Sequence, residues 1–325
     1  MQEYRISYVL TTYNKLPYLR QVLGRLVAAR RADEEIVVCD GGSKDGTPAY
    51  LQELFDAGHI QQFVSERDKG ESHGFNKGLL RAKGEIIKIV TDDDGFCYPA
   101  IREAAEFMLA HPEIDVLSGE TWLLSVEDLS TISFCQWSLD HYEAWLARRE
   151  PGTMIGLPWL FRRTSLPMTG LFHTGIVQVD GELSFRLTSL DVNIAWVNQL
   201  LSIRIENPQS NARNMSQQTI DEEVERMLYF YNRRTEHGLM YYLRRKSGLM
   251  QALKKPLAPL KQALRRMRHD EATNPGGREI ATGFVPTPGA DTLAEAFRLC
   301  DDFMTRYNAD RPVEFLYPTA AAATA

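Results

Sequence analysis

Over its first 110 residues the chain alternates between short apolar runs and longer stretches with apolar residues at helical spacing. That pattern confines it to a parallel sheet with crossover helices. Arg5–Thr11 reads as a buried strand, and Leu16–Arg30 as a helix with Leu16, Leu19, Leu23, Leu26 and Val27 on one face. Glu35–Asp40 is a second strand, ending in the Gly41-Gly42 turn; Thr47 is expected to cap the next helix, with Pro48 at its first position. Ile60–Ser65 is a third strand, Ser72–Lys83 a helix stopped by Gly84, Glu85–Thr91 a fourth strand and Pro99–Ala110 a further helix. The expected fold class is therefore α/β, a mostly parallel sheet flanked by helices. Ligands of such sheets sit beyond the carboxyl ends of the strands. Polar residues gather at those ends here, with Asp40 after the second strand and Asp92, Asp93 and Asp94 after the fourth.

The pattern is mixed between Ile114 and Asn207, with strand-like pieces at Val116–Ser125 and Ile203–Glu206 and a helical piece at Gly181–Leu190. Beyond Asn211 it becomes mainly helical. Glu222–Arg234 and Thr292–Tyr307 are helix candidates, and Asn274–Gly289, rich in Gly, Pro and Thr, reads as a loop. The expected organisation is a sheet domain over 1–210, with a first half (1–110) and a second half (111–210) that walls a further pocket, followed by a mainly helical extension over 211–325.

Composition narrows the classes. The 325 residues are 44% hydrophobic and 25% charged, which fits a globular chain, and no run of 18 apolar residues offers a membrane span. The N-terminus runs straight into a strand with no signal-peptide pattern, and four cysteines far apart in the chain make a reduced, cytoplasmic setting the expectation. Cys39, Cys97, Cys135 and Cys300 match no metal or disulfide spacing, and the seven histidines are scattered, so a zinc site is not expected. Charge is unevenly spread. From His237 to His269 there are nine Lys/Arg and no Asp/Glu, which leaves −15 for the rest of a chain whose net charge is −6. Within it, Met250, Leu253, Leu257, Leu260, Leu264 and Met267 form an apolar stripe among basic residues, interrupted by Pro256 and Pro259. Two readings stay open for this segment (239–269). One is a peripheral contact with an anionic membrane face, and the other is a helix docked on the acidic body. Nucleic acid is not an expected partner, because the body is acidic and the basic run lacks interleaved aromatics.

Three consecutive carboxylates repel one another unless a cation is present. Mg²⁺ and Mn²⁺ take oxygen ligands, typically one or two carboxylates together with phosphate oxygens. Asp92-Asp93-Asp94 at the end of an apolar strand thus reads as a site for a metal–diphosphate pair.

Four blocks at consistent spacing carry a family resemblance: Thr11-Thr12-Tyr13-Asn14, Asp40 to Thr47 (DGGSKDGT), Ser65 to Gly70 (SERDKG) running to Asn76-Lys77-Gly78, and Ala82 to Glu85 leading into Thr91–Asp94. The chain resembles family 2 glycosyltransferases of the GT-A fold over about residues 4–100. The resemblance implies a Rossmann-like sheet, a nucleotide-sugar donor, Mn²⁺ or Mg²⁺ as cofactor and a glycan or lipid-linked acceptor. It further implies that Thr11, Tyr13 and Asn14 border the nucleotide and that Asp40 reads its base. Asp68, Lys69, Gly70 and Asn76 would line the donor site, Asp93 would touch the ribose or sugar, and Asp94, with Asp92, would hold the metal. Asp45-Gly46-Thr47 is read as a plain turn.

An inverting transfer needs a carboxylate to take the proton of the attacking hydroxyl. The segment Asp180-Gly-Glu-Leu-Ser-Phe-Arg-Leu187 resembles the family's D-x-E-L-x-x-R-L stretch, which makes Asp180 the expected base; an acidic first helical turn is the plain alternative. His173 has two readings, a residue lining the acceptor pocket or an ordinary surface histidine. The expected function is an inverting, metal-dependent glycosyltransferase using a UDP-sugar in polysaccharide, lipopolysaccharide or glycoconjugate assembly. Two rivals remain. A non-catalytic glycan-binding scaffold is one. The other is a nucleotidylyltransferase, against which the glycine-free turn Thr11–Lys15 counts.

Overall fold

The computed structural model describes residues 4–190, 192–208, 215–231, 278–285, 287 and 289–318. In chain order the elements are β1 (Ile6–Thr12), α1 (Leu16–Ala29), β2 (Glu34–Asp40), α2 (Thr47–Asp56), β3 (Gln62–Ser65), α3 (Glu71–Arg81), β4 (Ile86–Val90), β5 (Gly95–Phe96) and α4 (Tyr98–Ala110). There follow β6 (Val116–Ser125), β7 (Asp128–Phe134), α5 (Gln136–Arg148), β8 (Leu160–Arg162), α6 (Leu166–Thr169), α7 (Val179–Ser189), β9 (Ile194–Glu206), α8 (Gln217–Tyr231), β10 (Glu279–Ala281), α9 (Thr292–Ala309) and β11 (Phe315–Leu316).

Strands β3, β2, β1 and β4 lie side by side and parallel. The chain steps outward from β1 to β2 to β3, then returns to the opposite side of β1 as β4. That reversal opens a crevice at the carboxyl ends of β1 and β4, the usual ligand position in such a sheet. Beyond β4 the sheet becomes mixed. β8 runs antiparallel to β4 and β6, while the long β9 pairs parallel with β6 along the whole of that strand.

Both faces of the parallel part are covered, which is why β1 and β2 are buried at every position. Successive side chains serve opposite cores. Tyr8 and Leu10 join one core with α1, α4 and α9, whereas Val9 joins the other with Trp145, Trp159 and Leu183. Helix α3 lies directly on β1 because two of its residues lack side chains. A Cβ at Gly78 would meet Val9 Cγ1 at 2.2 Å, and one at Gly74 would meet Thr11 Oγ1 at 2.1 Å.

Several expectations change. The residue before α2 is Gly46 at φ 92°, so Thr47 starts the helix instead of capping it. Asp45 fastens this turn: it accepts from Thr47 Oγ1 at 2.7 Å and from the Leu16 N–H, at the start of α1, at 2.9 Å. The described C-terminal part is mainly helical, as expected, and adds two short strands. Within the expected loop 274–289, β10 pairs with β7, and β11 pairs with β9. Helix α9, capped by Asp291, buries Phe297, Cys300 and Met304 in the first core. Tyr307 donates to Glu120 at 2.6 Å and Arg25 to Asp301 at 2.7 Å, so α9 is tied to β6 and α1. The basic segment 239–269 lies outside the described residues. Among the described residues no helix is long and apolar enough to cross a membrane.

Candidate active site

The loops after β1, β2 and β4 converge on the crevice. Asn14 adopts a left-handed backbone (φ 52°), a conformation asparagine tolerates. Its N–H donates to Ser43 Oγ at 2.7 Å and its Oδ1 accepts from the Lys44 N–H at 2.8 Å, zipping the first two loops together. Tyr13, 59% exposed, presents an open aromatic face beside this seam. Asp68 projects toward the same floor. A Cβ at Gly41 would meet its carboxylate oxygens at 3.1 Å, and its Oδ1 accepts from the Gly70 N–H at 3.0 Å. Lys69 and Gly70 are exposed.

Asp40 sits beneath this surface. It is fully buried, and its carboxylate accepts from Ser43 Oγ and Ser65 Oγ, each at 2.5 Å, and from the Ser43 N–H. Asn76 is also occupied. Its amide donates to the Phe172 carbonyl and accepts from the Phe172 N–H, both at 2.8 Å, which clamps α3 to the segment before α7.

Asp92, Asp93 and Asp94 are all buried at the end of β4. Lys15, the last residue of the first loop, donates to Asp93 Oδ2 at 2.6 Å and lies 3.5 Å from Asp92 Oδ1. Asn207 donates to the same Asp93 oxygen at 3.0 Å. Asp94 is strapped in place, with Thr91 Oγ1 donating to Oδ2 at 2.5 Å and the Ile205 N–H of β9 to Oδ1 at 2.7 Å. Burial first, and the charge of Asp93 second, push Asp92 and Asp94 up to about 7. Burial works against the Lys15 ammonium, but Asp92 and Asp93 outweigh it and hold that amine above its ordinary value.

The donor set fits a divalent cation: hard oxygens, crowded enough that two of them hold protons near neutrality, with an ammonium already drawn among them. Among the described residues no three His, Cys, Asp or Glu side chains are arranged to enclose an ion alone. A cation here would therefore draw further ligands from a bound molecule, as Mg²⁺ does with substrate phosphates.

Asp180 lies in the first turn of α7, half-buried. Its Oδ2 accepts from the Gly156 N–H at 3.3 Å and its Oδ1 from the Gly181 N–H at 2.9 Å. Glu182, two residues on, is spent internally. Arg186 reaches it at 3.0 Å and the Tyr231 hydroxyl at 2.5 Å, while Arg186 also holds the Thr169 and Leu171 carbonyls. His173 is exposed and accepts from the Gly175 N–H at 3.0 Å. A cleft of about 530 Å³ between Thr282–Val285 and α9 contains none of these residues.

The structure thus brings together Thr11, Tyr13, Asn14, Asp68 and Asp92–Asp94, and places Asp40 and Asn76 underneath as supports. Lys15 and Asn207 were not among the expected site residues. The signal for Asn207 was available, since it is a polar residue directly after an apolar strand, as the triplet is.

Residues 7–120 match the family model described as glycosyl transferase family 2. The matched segment contains Thr11, Tyr13, Asn14, Asp40, Asp68 and Asp92–Asp94, and ends before Asp180 and Asn207. Among curated relatives, poly-β-1,6-N-acetyl-D-glucosamine synthase of Staphylococcus epidermidis is 22% identical over 201 residues, 59% of this chain and 47% of the relative. The Escherichia coli UDP-Glc:α-D-GlcNAc-diphosphoundecaprenol β-1,3-glucosyltransferase WfgD is 28% identical over 94 residues, 29% of this chain and 37% of that one. The chain thus spans about half the length or less of these two relatives. Among solved structures, the mannosyltransferase PcManGT of Pyrobaculum calidifontis, in complex with GDP-Man and Mn²⁺, aligns with a TM-score of 0.49 at 20% identity. That alignment covers 64% of this chain and 59% of the other. Residues 1–349 of S. aureus TarS, in complex with UDP-GlcNAc, also align at 0.49, with 15% identity over 65% and 61% of the two chains.

Proposed function

We propose that this chain is an inverting glycosyltransferase that moves a sugar from a nucleotide-activated donor to a hydroxyl of a glycan or lipid-linked acceptor. The observation that carries the reading is the buried Asp92-Asp93-Asp94 triplet at the reversal point of the parallel sheet, in the part of the chain that matches family 2. The nucleotide lies over Tyr13, Asn14 and Asp68, with Thr11 and Asp40 fixing the shape of that floor. Asp92 and Asp94 would hold Mn²⁺ or Mg²⁺, and the ion would supply positive charge to the departing diphosphate. Asp93, oriented by Lys15 and Asn207, accepts from a hydroxyl of the ribose or sugar. Asp180 takes the proton of the acceptor hydroxyl as its oxygen attacks the anomeric carbon opposite the leaving diphosphate. A UDP-sugar is the favoured donor class, since the relative WfgD is a UDP-Glc glucosyltransferase.

A thermal-shift panel of UDP, GDP, CMP and dTDP, each with and without Mn²⁺, tests the donor half, because a ligand of the folded state raises the midpoint by mass action. One nucleotide should stabilise the protein in a metal-dependent way, and Asp94→Ala should abolish the effect. No shift with any of the four would overturn the donor site and favour a non-catalytic scaffold. Turnover of UDP-glucose and UDP-N-acetylglucosamine, read as UDP release with wild type and Asp180→Asn, tests the base.

A further inference from the structure

A lysine lies in the middle of β4, four residues before the acidic triplet. Its side chain has no exposure to solvent. The Lys88 ammonium donates to its neighbour's carbonyl, Ile89 O, at 2.9 Å and to the carbonyl of Leu157, and stands 5.0 Å from the centre of the Phe96 ring. The neighbours on the same face of the strand, Ile86 and Val90, are apolar core residues. An apolar side chain would fill this slot without stripping an ammonium of water, so what distinguishes lysine here is the bond it makes.

That bond reaches a segment the sheet does not hold. The backbone ladder between β4 and β8 ends where Lys88 faces Leu160. Leu157 is three residues beyond that end, and the Lys88 side chain takes over the cross-link there. The residue beside Leu157 is Gly156, whose N–H donates to Asp180. The contact is close, since a Cβ at Gly156 would meet Asp180 Cβ at 2.8 Å. A continuous connection therefore runs from the strand that carries Asp92–Asp94, through Lys88 and Leu157, to Gly156 and the Asp180 carboxylate.

We propose that Lys88 is a positioning residue, fixing the Gly156-Leu157 segment to β4 and thereby setting where the Asp180 carboxylate stands relative to the donor site. The proposal rests on Asp180 serving as the base. Small displacements of a catalytic group lower turnover by up to about 100-fold while leaving the binding of the other substrate intact.

The test uses the full chain with Lys88→Met, Lys88→Arg and Gly156→Ala. In Lys88→Met the Gly156 amide should exchange with deuterium at least about ten times faster than in wild type, because its anchor is gone. The rise in melting midpoint with UDP and Mn²⁺ should not change. Turnover of the UDP-sugar should fall about 10–100-fold with donor KM within about twofold, and Lys88→Arg, which keeps a donor, should recover part of the loss. Gly156→Ala, which crowds Asp180 without touching Lys88, should lower kcat in the same way, and the double variant should lose less than the product of the two. Unchanged Gly156 exchange in Lys88→Met would overturn the proposal. So would equal losses of turnover and of the UDP shift, which would mark a general loss of structure. Full activity of Asp180→Asn would remove the premise. Unchanged kcat in Lys88→Met beside an inactive Asp180→Asn would sink the positioning role alone.

Discussion

The ammonium of Lys15 lies 2.6 Å from the Asp93 carboxylate and 3.5 Å from that of Asp92, and it is only 12% exposed. It is the counter-charge set against Asp92 and Asp93 in that turn. Removing it leaves them uncompensated, and breaking a buried pair from one side costs up to about 3–5 kcal/mol. Lys15→Met should therefore melt earlier than wild type in metal-free buffer at neutral pH. Millimolar Mn²⁺ should then raise its midpoint by more than it raises that of wild type, because the ion takes over the missing charge. Equal midpoints for the two metal-free proteins would show that Lys15 contributes nothing to holding the triplet.

The pH dependence follows from the direction of the carboxyl shifts. Asp92 is pushed from 3.8 up to about 7, first by burial and then by Asp93, so the folded chain prefers it protonated. Its contribution to stability is fully present below 3.8 and is lost as the pH rises through about 7. Asp92→Asn is neutral at every pH and does not incur that loss. In metal-free scanning calorimetry the variant and wild type should melt together near pH 4, with the variant pulling ahead by several degrees toward pH 8. With saturating Mn²⁺ at pH 8 the difference should shrink or reverse, since the wild-type carboxylate gains a ligand. A constant difference across the range would contradict the raised pKa.

The two glycines of α3 make separable predictions. Alanine at Gly78 presses on Val9 in the second core, and overpacking of this kind costs about 1–3 kcal/mol. Alanine at Gly74 presses on Thr11 Oγ1 and lies 3.3 Å from Asp68 Oδ2, at the floor of the donor crevice. Gly78→Ala should lower the melting midpoint and leave the UDP-induced rise intact, whereas Gly74→Ala should diminish that rise as well. Identical behaviour of the two would mean that the floor tolerates displacement.

How much of this was legible in the sequence depended on whether the information was local. Strands β1, β2 and β4 and the helices between them stood out because each is an apolar run or an amphipathic face, whereas β3 is only four residues, Gln62–Ser65, and was legible from its place in the alternation. The triplet was legible because three carboxylates at a strand end have few structural uses. Strand β8 was not, since three residues, Leu160–Arg162, carry no period and are held only by β4 and β6. Strands β10 and β11 are equally short and take their identity from β7 and β9. Asp40 and Asn76 were legible as important and not as buried. Their roles depend on Ser65, 25 residues away, and Phe172, 96 residues away, which no local spacing reveals.

Asn76 gives the sharpest separation between supporting and binding roles. Both ends of its amide are paired with the backbone of Phe172, and the side chain is buried. Truncation to alanine leaves a buried N–H and a buried carbonyl without partners, at about 1–3 kcal/mol. It also frees α3 from the segment that leads into α7, where Asp180 sits. Asn76→Ala should lower the melting midpoint by several degrees and leave the UDP and Mn²⁺ shift unchanged, because the amide is engaged with the Phe172 backbone. Asn76→Asp keeps the acceptor for the Phe172 N–H but sets a carboxylate against the Phe172 carbonyl, and it should melt lower than wild type at neutral pH. Loss of the nucleotide shift in Asn76→Ala at a temperature where the protein is fully folded would instead place this residue in contact with the donor.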